Sequence, residues 1–93
     1  MERTNNTTDM TDEEYEIIDE LYFIISFAEL LKKINIEEHS LKNILLKLIQ
    51  KGWVRCIDEH KETDVEDLSM FEKKYSSYHY LASKQGLMEH NMR

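Results

Sequence analysis

Apolar residues recur at helical spacing in three successive segments of the chain. The first segment predicts a helix from about Asp12 to Phe23, because acidic residues fill the face opposite its apolar positions. Those apolar positions are Tyr15, Ile18, Leu21 and Tyr22. Thr11 and Glu14 have the spacing of a capping box, in which a hydroxyl and a carboxylate satisfy the first free amides of a helix. The helix is therefore predicted to begin directly after Thr11.

A second capping-box spacing, from Ser26 to Glu29, predicts another helix that ends near Lys33. The residues before it, 23–27, are apolar and partly β-branched, which favours a short, buried, extended link. Asn35 follows the helix. Because asparagine tolerates the left-handed conformation, it is the predicted point at which the chain leaves the helix.

The third segment has the clearest helical pattern in the chain. It predicts an amphipathic helix from about Glu37 to Lys51, with Gly52 placed as a left-handed C-cap. Its apolar positions are Leu41, Ile44, Leu45, Leu48 and Ile49. Bulky and β-branched residues at 53–57 then predict a strand.

The remainder of the chain is less regular. The acidic stretch 58–77 is compatible with an extended loop or with a short helix around 65–75, and 78–82 predicts a second strand. A turn at Gly86 and a short tail are predicted to end the chain. Three amphipathic helices and a hairpin can bury their apolar faces together if the helices cluster and the hairpin lies alongside. The predicted fold is therefore mainly α with a small β-hairpin.

Composition is consistent with one small domain. A chain of 93 residues buries a single modest core, and residues 1–10 are polar enough to be a flexible tail before a domain at 11–93. The longest apolar run, 21–25, is far shorter than the roughly 20 residues of a membrane span, and residues 1–10 lack the apolar stretch expected of a secretory signal. A lone Cys56 suits a reducing compartment. The expected location is cytoplasmic, without membrane association.

Charge is distributed unevenly along the chain. The formal net charge is -7, which by itself opposes binding to nucleic acid. However, residues 30–55 carry six basic side chains against two acidic ones, whereas the segments on both sides are acidic. The basic residues are Lys32, Lys33, Lys42, Lys47, Lys51 and Arg55. The sequence thus predicts one basic region in an acidic protein.

The segment 26–54, SFAELLKKINIEEHSLKNILLKLIQKGWV, resembles the core of winged helix-turn-helix transcriptional regulators. The resemblance rests on a hydroxyl residue before the second helix, an Ala-Glu-Leu within it, a turn residue, apolar anchors in the third helix, and glycine with two apolar residues entering the wing. These residues are Ser26, Ala28, Glu29, Leu30, Asn35, Leu41, Leu45, Leu48, Gly52, Trp53 and Val54. Tyr80 to Ser83, followed by Gly86, resembles the returning wing strand. The resemblance implies a three-helix core plus wing.

Such a fold would read double-stranded DNA with the exposed face of its third helix. On this helix the candidate DNA-binding residues are Ser40, Lys42, Asn43, Lys47 and Gln50. Asparagine and glutamine can pair with adenine, and lysine can reach guanine or phosphate. The same residues also suit an ordinary solvated helix face.

Other features of this helix favour a protein partner instead. Glu37 and Glu38 open the helix with carboxylates that repel phosphate. Leu46 is predicted to share the exposed face with His39, and an apolar residue there suits protein contact, although it could also contact a thymine methyl group. Leu46 and His39 are therefore the candidate partner-binding residues of an alternative, DNA-independent interaction module.

Two further groups of residues have a structural and a functional interpretation. The acidic stretch 58–72 would lie in the wing, as a solvated loop or as a docking surface for a basic partner. Tyr75, Tyr78 and Tyr80 are more typical of core or dimer contacts than of base stacking. Cys56 is predicted to be a small buried residue.

No catalytic or cofactor chemistry is predicted. The four histidines lack the spacing of metal ligands, and the sequence contains no phosphate-binding glycine loop or nucleophile elbow. The sequence-based hypothesis is therefore a DNA-binding transcriptional regulator that forms a homodimer through helix 1 or the C-terminal segment, and the alternative is a winged-helix protein-interaction module.

Overall fold

The computed structural model describes residues 10–93, in which five α-helices and one four-stranded antiparallel sheet are formed. The helices are α1 (Asp12–Asp19), α2 (Phe27–Lys33), α3 (Glu38–Lys51), α4 (Phe71–Lys74) and α5 (Lys84–Met92). The strands are β1 (Ile25–Ser26), β2 (Val54–Asp58), β3 (Thr63–Asp64) and β4 (His79–Ala82). Short 3₁₀ turns flank α4 on both sides. None of the helices within residues 10–93 combines the length and hydrophobicity that a bilayer crossing requires.

The sheet joins elements that are far apart in the sequence. Its strand order is β1-β4-β2-β3, and every neighbouring pair is antiparallel. Side chains alternate between the faces of a strand. Val54, Cys56, Tyr80 and Ala82 are buried and define the core face. Arg55, Ile57, His79 and Leu81 lie on the opposite side, which we call the outer face.

The start of α1 is as predicted, but its end is not. The Glu14 amide donates to the Thr11 hydroxyl at 3.1 Å, and the Thr11 amide donates to the Glu14 carboxylate at 3.0 Å, which completes the capping box. The helix ends at Asp19 rather than near Phe23. Beyond it the chain turns towards the sheet, where the Leu21 carbonyl accepts a hydrogen bond of 2.8 Å from the Ala82 amide. The chain is thus joined to β4 two residues after α1 ends.

The second helix begins and ends where its sequence predicts, but the link before it is not buried as predicted. The Ser26 hydroxyl accepts from the Glu29 amide at 3.2 Å, and α2 ends at Lys33. The link was predicted to be buried, yet Phe23 is 84% exposed and Ile24 is 54% exposed. Only Ile25 and Ser26 pair with β4, so the two residues before them remain in a turn outside the sheet.

The turn between α2 and α3 does not use Asn35 as predicted. Within residues 10–93, only Gly52 and Glu62 have a positive φ angle. The chain instead leaves α2 through an extended Ile34, with φ of -106° and ψ of 130°. The prediction for the end of α3 is confirmed, because Gly52 has φ of 83° and its amide bonds back to the carbonyls of the helix.

The acidic stretch after β2 contains the short helix α4, one of the two predicted alternatives, together with the added edge strand β3. The predicted C-terminal turn and tail are wrong, because α5 occupies this region and Gly86 lies within it. Ser83 caps α5 by accepting from the Gly86 amide at 3.0 Å. A side chain at Gly86 would overlap the carbonyl oxygen of Trp53, so glycine permits α5 to pack directly on the start of β2.

One hydrophobic core unites the helices with the inner side of the sheet. Met10, which was assigned to the flexible tail, is buried in this core, whereas residues 1–9 of the predicted tail lie outside the described residues. The largest fully buried side chains are Ile17, Ile18, Leu21, Leu30, Leu41, Leu45, Leu48, Cys56, Phe71 and Tyr80. The anchors predicted for α3 are thus confirmed as core residues.

Cys56 is buried, as predicted, and this makes the stability of the fold depend on pH. Desolvation, reinforced by Asp64 and Asp58, raises the pKa of the Cys56 thiol to about 12. In the unfolded chain a thiol titrates near pH 8.5. The folded protein therefore binds the thiol proton more tightly than the unfolded chain does. The stabilisation from the protonated thiol is complete below about pH 8.5 and declines as the pH rises.

We expect the free energy of unfolding to fall by up to about 1.4 kcal/mol per pH unit between about pH 8.5 and 10, from this group alone. Urea unfolding across that range measures the slope. Cys56→Ala lacks the titrating group and should show a flatter profile, although the cavity lowers its stability at every pH. Equal slopes in both proteins would show that the thiol ionises freely in the folded state.

Candidate functional site

The exposed side of α3 carries a single polar row. His39, Asn43, Lys47 and Gln50 are exposed and follow one another at intervals of three or four residues, which places them on one helix face. Ser40 is half-buried beside this row. Of the predicted DNA-binding residues, the structure brings Asn43, Lys47 and Gln50 together on this face.

Lys42 does not belong to that face, contrary to the prediction. The residue is 7% exposed, and its Nζ donates to the Glu72 carboxylate at 2.7 Å. The ammonium also lies 5.8 Å from the centre of the Tyr75 ring. Glu72 and Tyr75 come from α4 and the turn after it, which pack over this side of α3. The polar character of Lys42 predicted exposure, but the position of α4 determines its environment.

The basic region predicted from residues 30–55 is largely neutralised in three dimensions. Lys51 lies 2.8 Å from Glu14, and Lys32 lies 3.9 Å from Glu29. Arg55 forms two hydrogen bonds with the Asp64 carboxylate, at 2.8 and 3.1 Å. Together with the pair made by Lys42, four of the six cations therefore face a carboxylate. Among residues 10–93, only Lys33 and Lys47 of this set have no carboxylate within 4.0 Å.

The start of α3 is also acidic in the folded protein. Glu37 and Glu38 are exposed, and the hydroxyl of Tyr75 donates to the Glu38 carboxylate. This hydrogen bond raises the pKa of Tyr75, because loss of the phenol proton would place a second negative charge beside Glu38. The N-terminal end of α3 thus presents carboxylates where a DNA backbone would need cations.

Leu46 does not form the exposed apolar anchor that was predicted for a protein partner. Its side chain is half-buried and packs against the core, so only His39 of the two partner-binding candidates is exposed on α3. The predicted core interpretation of the tyrosines is confirmed for Tyr78 and Tyr80, which are 6% and 0% exposed. Burial removes these two rings from base stacking.

Exposed apolar side chains lie instead next to the edge strand β1. Phe23 and Ile24 immediately precede this strand and project into solvent. Ile24 also lines a cleft of about 480 Å³ on the outer face, together with Arg55, Ile57, Glu59, Glu62, Asp64 and His79. We call this depression the outer cleft. It lies across the sheet from the core face against which the helices pack.

The outer cleft has an apolar floor and an acidic rim. Ile24 and Ile57 provide the apolar surface, while Arg55 and Asp64 neutralise each other through their paired hydrogen bonds. The Arg55 contact lowers the pKa of Asp64, so this carboxylate stays charged. Glu59 and Glu62 are exposed beyond this pair, and the Nε2 atom of His79 lies 3.6 Å from the Glu59 carboxylate. The rim therefore keeps a net negative charge.

Comparison of the chain with protein-family models, with curated proteins and with solved structures finds no match.

The histidines occupy separate environments. Among residues 10–93, no three histidine, cysteine or acidic side chains form a group that could hold a metal ion. His90 is buried where α5 meets α1, with its ring stacked on Tyr15 at 4.1 Å and its Nδ1 3.0 Å from the Tyr22 hydroxyl. Its Nε2 lies 3.3 Å from the Asp19 carboxylate. These contacts fasten α5 to α1.

The sequence does not reveal the outer cleft, because its pattern predicts that Phe23 and Ile24 belong to a buried link. The apolar run 21–25 contains both buried and exposed residues. Leu21 is fully buried, whereas Phe23 is the most exposed large apolar residue among those described. A run of apolar residues does not reveal which of its members a sheet will cover. The acidic stretch 58–72 did suggest a docking surface for a basic partner, and Glu59 and Glu62 belong to it.

Proposed function

We propose that this protein is a winged-helix interaction module that binds another protein through Phe23, Ile24 and the outer cleft. The exposed Phe23–Ile24 pair carries this proposal, because two large apolar side chains in solvent beside a preformed depression are typical of interaction sites. Complete burial of one such side chain stabilises a complex by about 1.5 to 3 kcal/mol. Apolar anchors of this kind dominate interface energetics.

The order of the elements supports the winged-helix part of the proposal. A short strand separates α1 from α2, α3 follows, and β2 and β4 form a hairpin-like pair after it. The strand β1 pairs with β4. This layout is compatible with a three-helix core plus wing, with β3, α4 and the turns around it inserted into the wing and α5 added after it.

Electrostatics favours a protein partner over DNA. Contacts with phosphate provide most non-specific DNA affinity, and they require cations that are free to approach the backbone. Most basic residues of the central segment are already paired with carboxylates, and Lys42 is buried. The carboxylates at the start of α3 add repulsion. A homodimer through α1 stays a prediction, and the exposed acids of this helix oppose it.

DNA binding by α3 remains the second candidate, because Asn43, Lys47 and Gln50 form an exposed row of residue types that read base edges. The two candidates use different surfaces. Asn43 and Lys47 lie on a helix, whereas Phe23 and Ile24 lie beside β1, so the two can be tested independently.

The test places a photo-crosslinking amino acid at position 23, or at position 47, in the full chain within its native cells. From position 23 we expect a protein adduct of defined mass, which Ile24→Asp abolishes while Asn43→Ala leaves it intact. Ile24 and Asn43 are both exposed, so neither substitution should unfold the protein.

The opposite pattern would support the DNA candidate. In that case position 47 crosslinks to DNA, selection from random duplexes enriches one sequence, and Lys47→Glu abolishes the enrichment. Absence of any Ile24-dependent adduct from position 23 would contradict the protein-binding proposal.

A further inference from the structure

We infer that the partner of the outer cleft is a basic protein segment that carries lysine or arginine next to an apolar anchor residue. This inference rests on the proposed function and specifies the chemistry of its partner. It follows from the joint arrangement of the exposed Phe23–Ile24 pair, the apolar floor of the cleft and the two exposed carboxylates on its rim, Glu59 and Glu62.

The two apolar residues of the outer cleft come from different parts of the sheet. Ile24 lies beside the edge strand β1, and Ile57 lies on β2, with β4 between them. Ile24 is 54% exposed, whereas Ile57 is 9% exposed and forms the base of the cleft. A partner side chain that enters here would bury the exposed part of Ile24 and rest on Ile57 at the base of the cleft. The cleft therefore accommodates an apolar anchor.

The charged part of the surface requires positive charge in the partner. Arg55 is already matched by Asp64, which leaves Glu59 and Glu62 as the uncompensated charges of the rim, apart from the His79 ring near Glu59. A partner with lysine or arginine next to its anchor would place opposite charges together. Such complementarity selects the partner and accelerates association. An acidic partner or a second copy of this chain, whose net charge is -7, would meet repulsion.

Glu62 allows this charge to be tested without disturbing the turn. Its φ angle is 55°, and its amide donates to the Asp58 carbonyl at 2.7 Å. Asparagine adopts this left-handed conformation more readily than glutamate does. Glu62→Asn therefore removes the carboxylate and preserves the backbone. Glu59→Gln removes the second charge at an exposed position.

The experiment titrates the full chain with three capped six-residue peptides and records amide chemical shifts by NMR. One peptide alternates lysine with leucine, one alternates glutamate with leucine, and one alternates lysine with serine. We expect the lysine-leucine peptide to move the signals of Ile24, Ile57, Glu62 and His79 in salt-dependent fashion. The other two peptides should bind at least about tenfold more weakly, because the glutamate-leucine peptide lacks the positive charge and the lysine-serine peptide lacks the apolar side chains.

The variants separate charge from apolar contact. The double variant Glu59→Gln and Glu62→Asn should weaken binding of the lysine-leucine peptide by about five- to tenfold, as should Ile24→Ser. Asn43→Ala, on the exposed face of α3, is the matched control and should leave the affinity unchanged. Thermal unfolding of each variant shows whether the fold is retained.

Three results would overturn the inference. They are equal binding of the glutamate-leucine peptide, shifts confined to the acidic face of α1 or to α3, and undiminished affinity in the folded double variant. If position 23 still yields an Ile24-dependent protein adduct, the proposed function stands and only the partner chemistry is wrong. If neither the adduct nor the peptide complex forms, both proposals fail.

Discussion

Replacing Gly86 by alanine is expected to lower the free energy of unfolding by about 3 kcal/mol. The new methyl carbon would overlap the Trp53 carbonyl oxygen and lie 2.9 Å from the carbonyl carbon of the same residue. These are backbone atoms of the segment that enters β2, so they cannot rotate away as a flexible side chain would. Either α5 must shift or the start of β2 must move. The steric cost exceeds the gain of up to about 1 kcal/mol that alanine normally provides in a helix.

The matched control is Gly52→Ala, because glycine is needed at this position for its backbone conformation and not for space. A methyl group at Gly52 meets no atom within 4 Å, but the residue has φ of 83°. Strain in the left-handed conformation should therefore cost about 1 to 2 kcal/mol without any steric overlap. Urea unfolding measures both variants. A Gly86→Ala protein as stable as the wild type would show that α5 does not pack on Trp53.

Replacing Leu45 by alanine should destabilise the protein by about 2 to 5 kcal/mol. Leu45 is fully buried at the centre of α3, where its removal leaves a cavity between the helices and the core face of the sheet. Leu46→Ala is the control on the neighbouring position. Because Leu46 is only half-buried, its truncation should cost about 1 kcal/mol, chiefly through lost apolar burial.

Chemical denaturation of the two leucine variants tests the assignment of the helix faces. The difference between them should be at least about 1 kcal/mol, with Leu45→Ala the less stable protein. Equal losses, or a greater loss for Leu46→Ala, would mean that α3 is rotated relative to the structure described above.

Features governed by residues close in sequence could be predicted before the structure was known. The hydroxyl and carboxylate of the Thr11–Glu14 capping box satisfy amides within one helical turn. Gly52 ends α3 through its own backbone freedom, and the apolar period of that helix identifies Leu41, Leu45 and Leu48 as core residues. Such signals depend on short-range geometry, which the amino-acid pattern contains.

Features created by distant segments could not be predicted in the same way. Lys42 is buried because Glu72 approaches it from α4, and Lys51 and Arg55 form ion pairs because Glu14 and Asp64 come from other elements. Gly86 is required within α5 because a side chain there would overlap the Trp53 backbone, which is distant in sequence. A side chain's charge and polarity are local properties, whereas its burial and its ion-pair partner depend on which segments pack against it. The pattern along the chain therefore determines α2, α3 and the core face of α3, because these depend on short-range geometry. Only tertiary packing decides where α1 ends, that α5 forms, and which charges and apolar side chains remain for a partner.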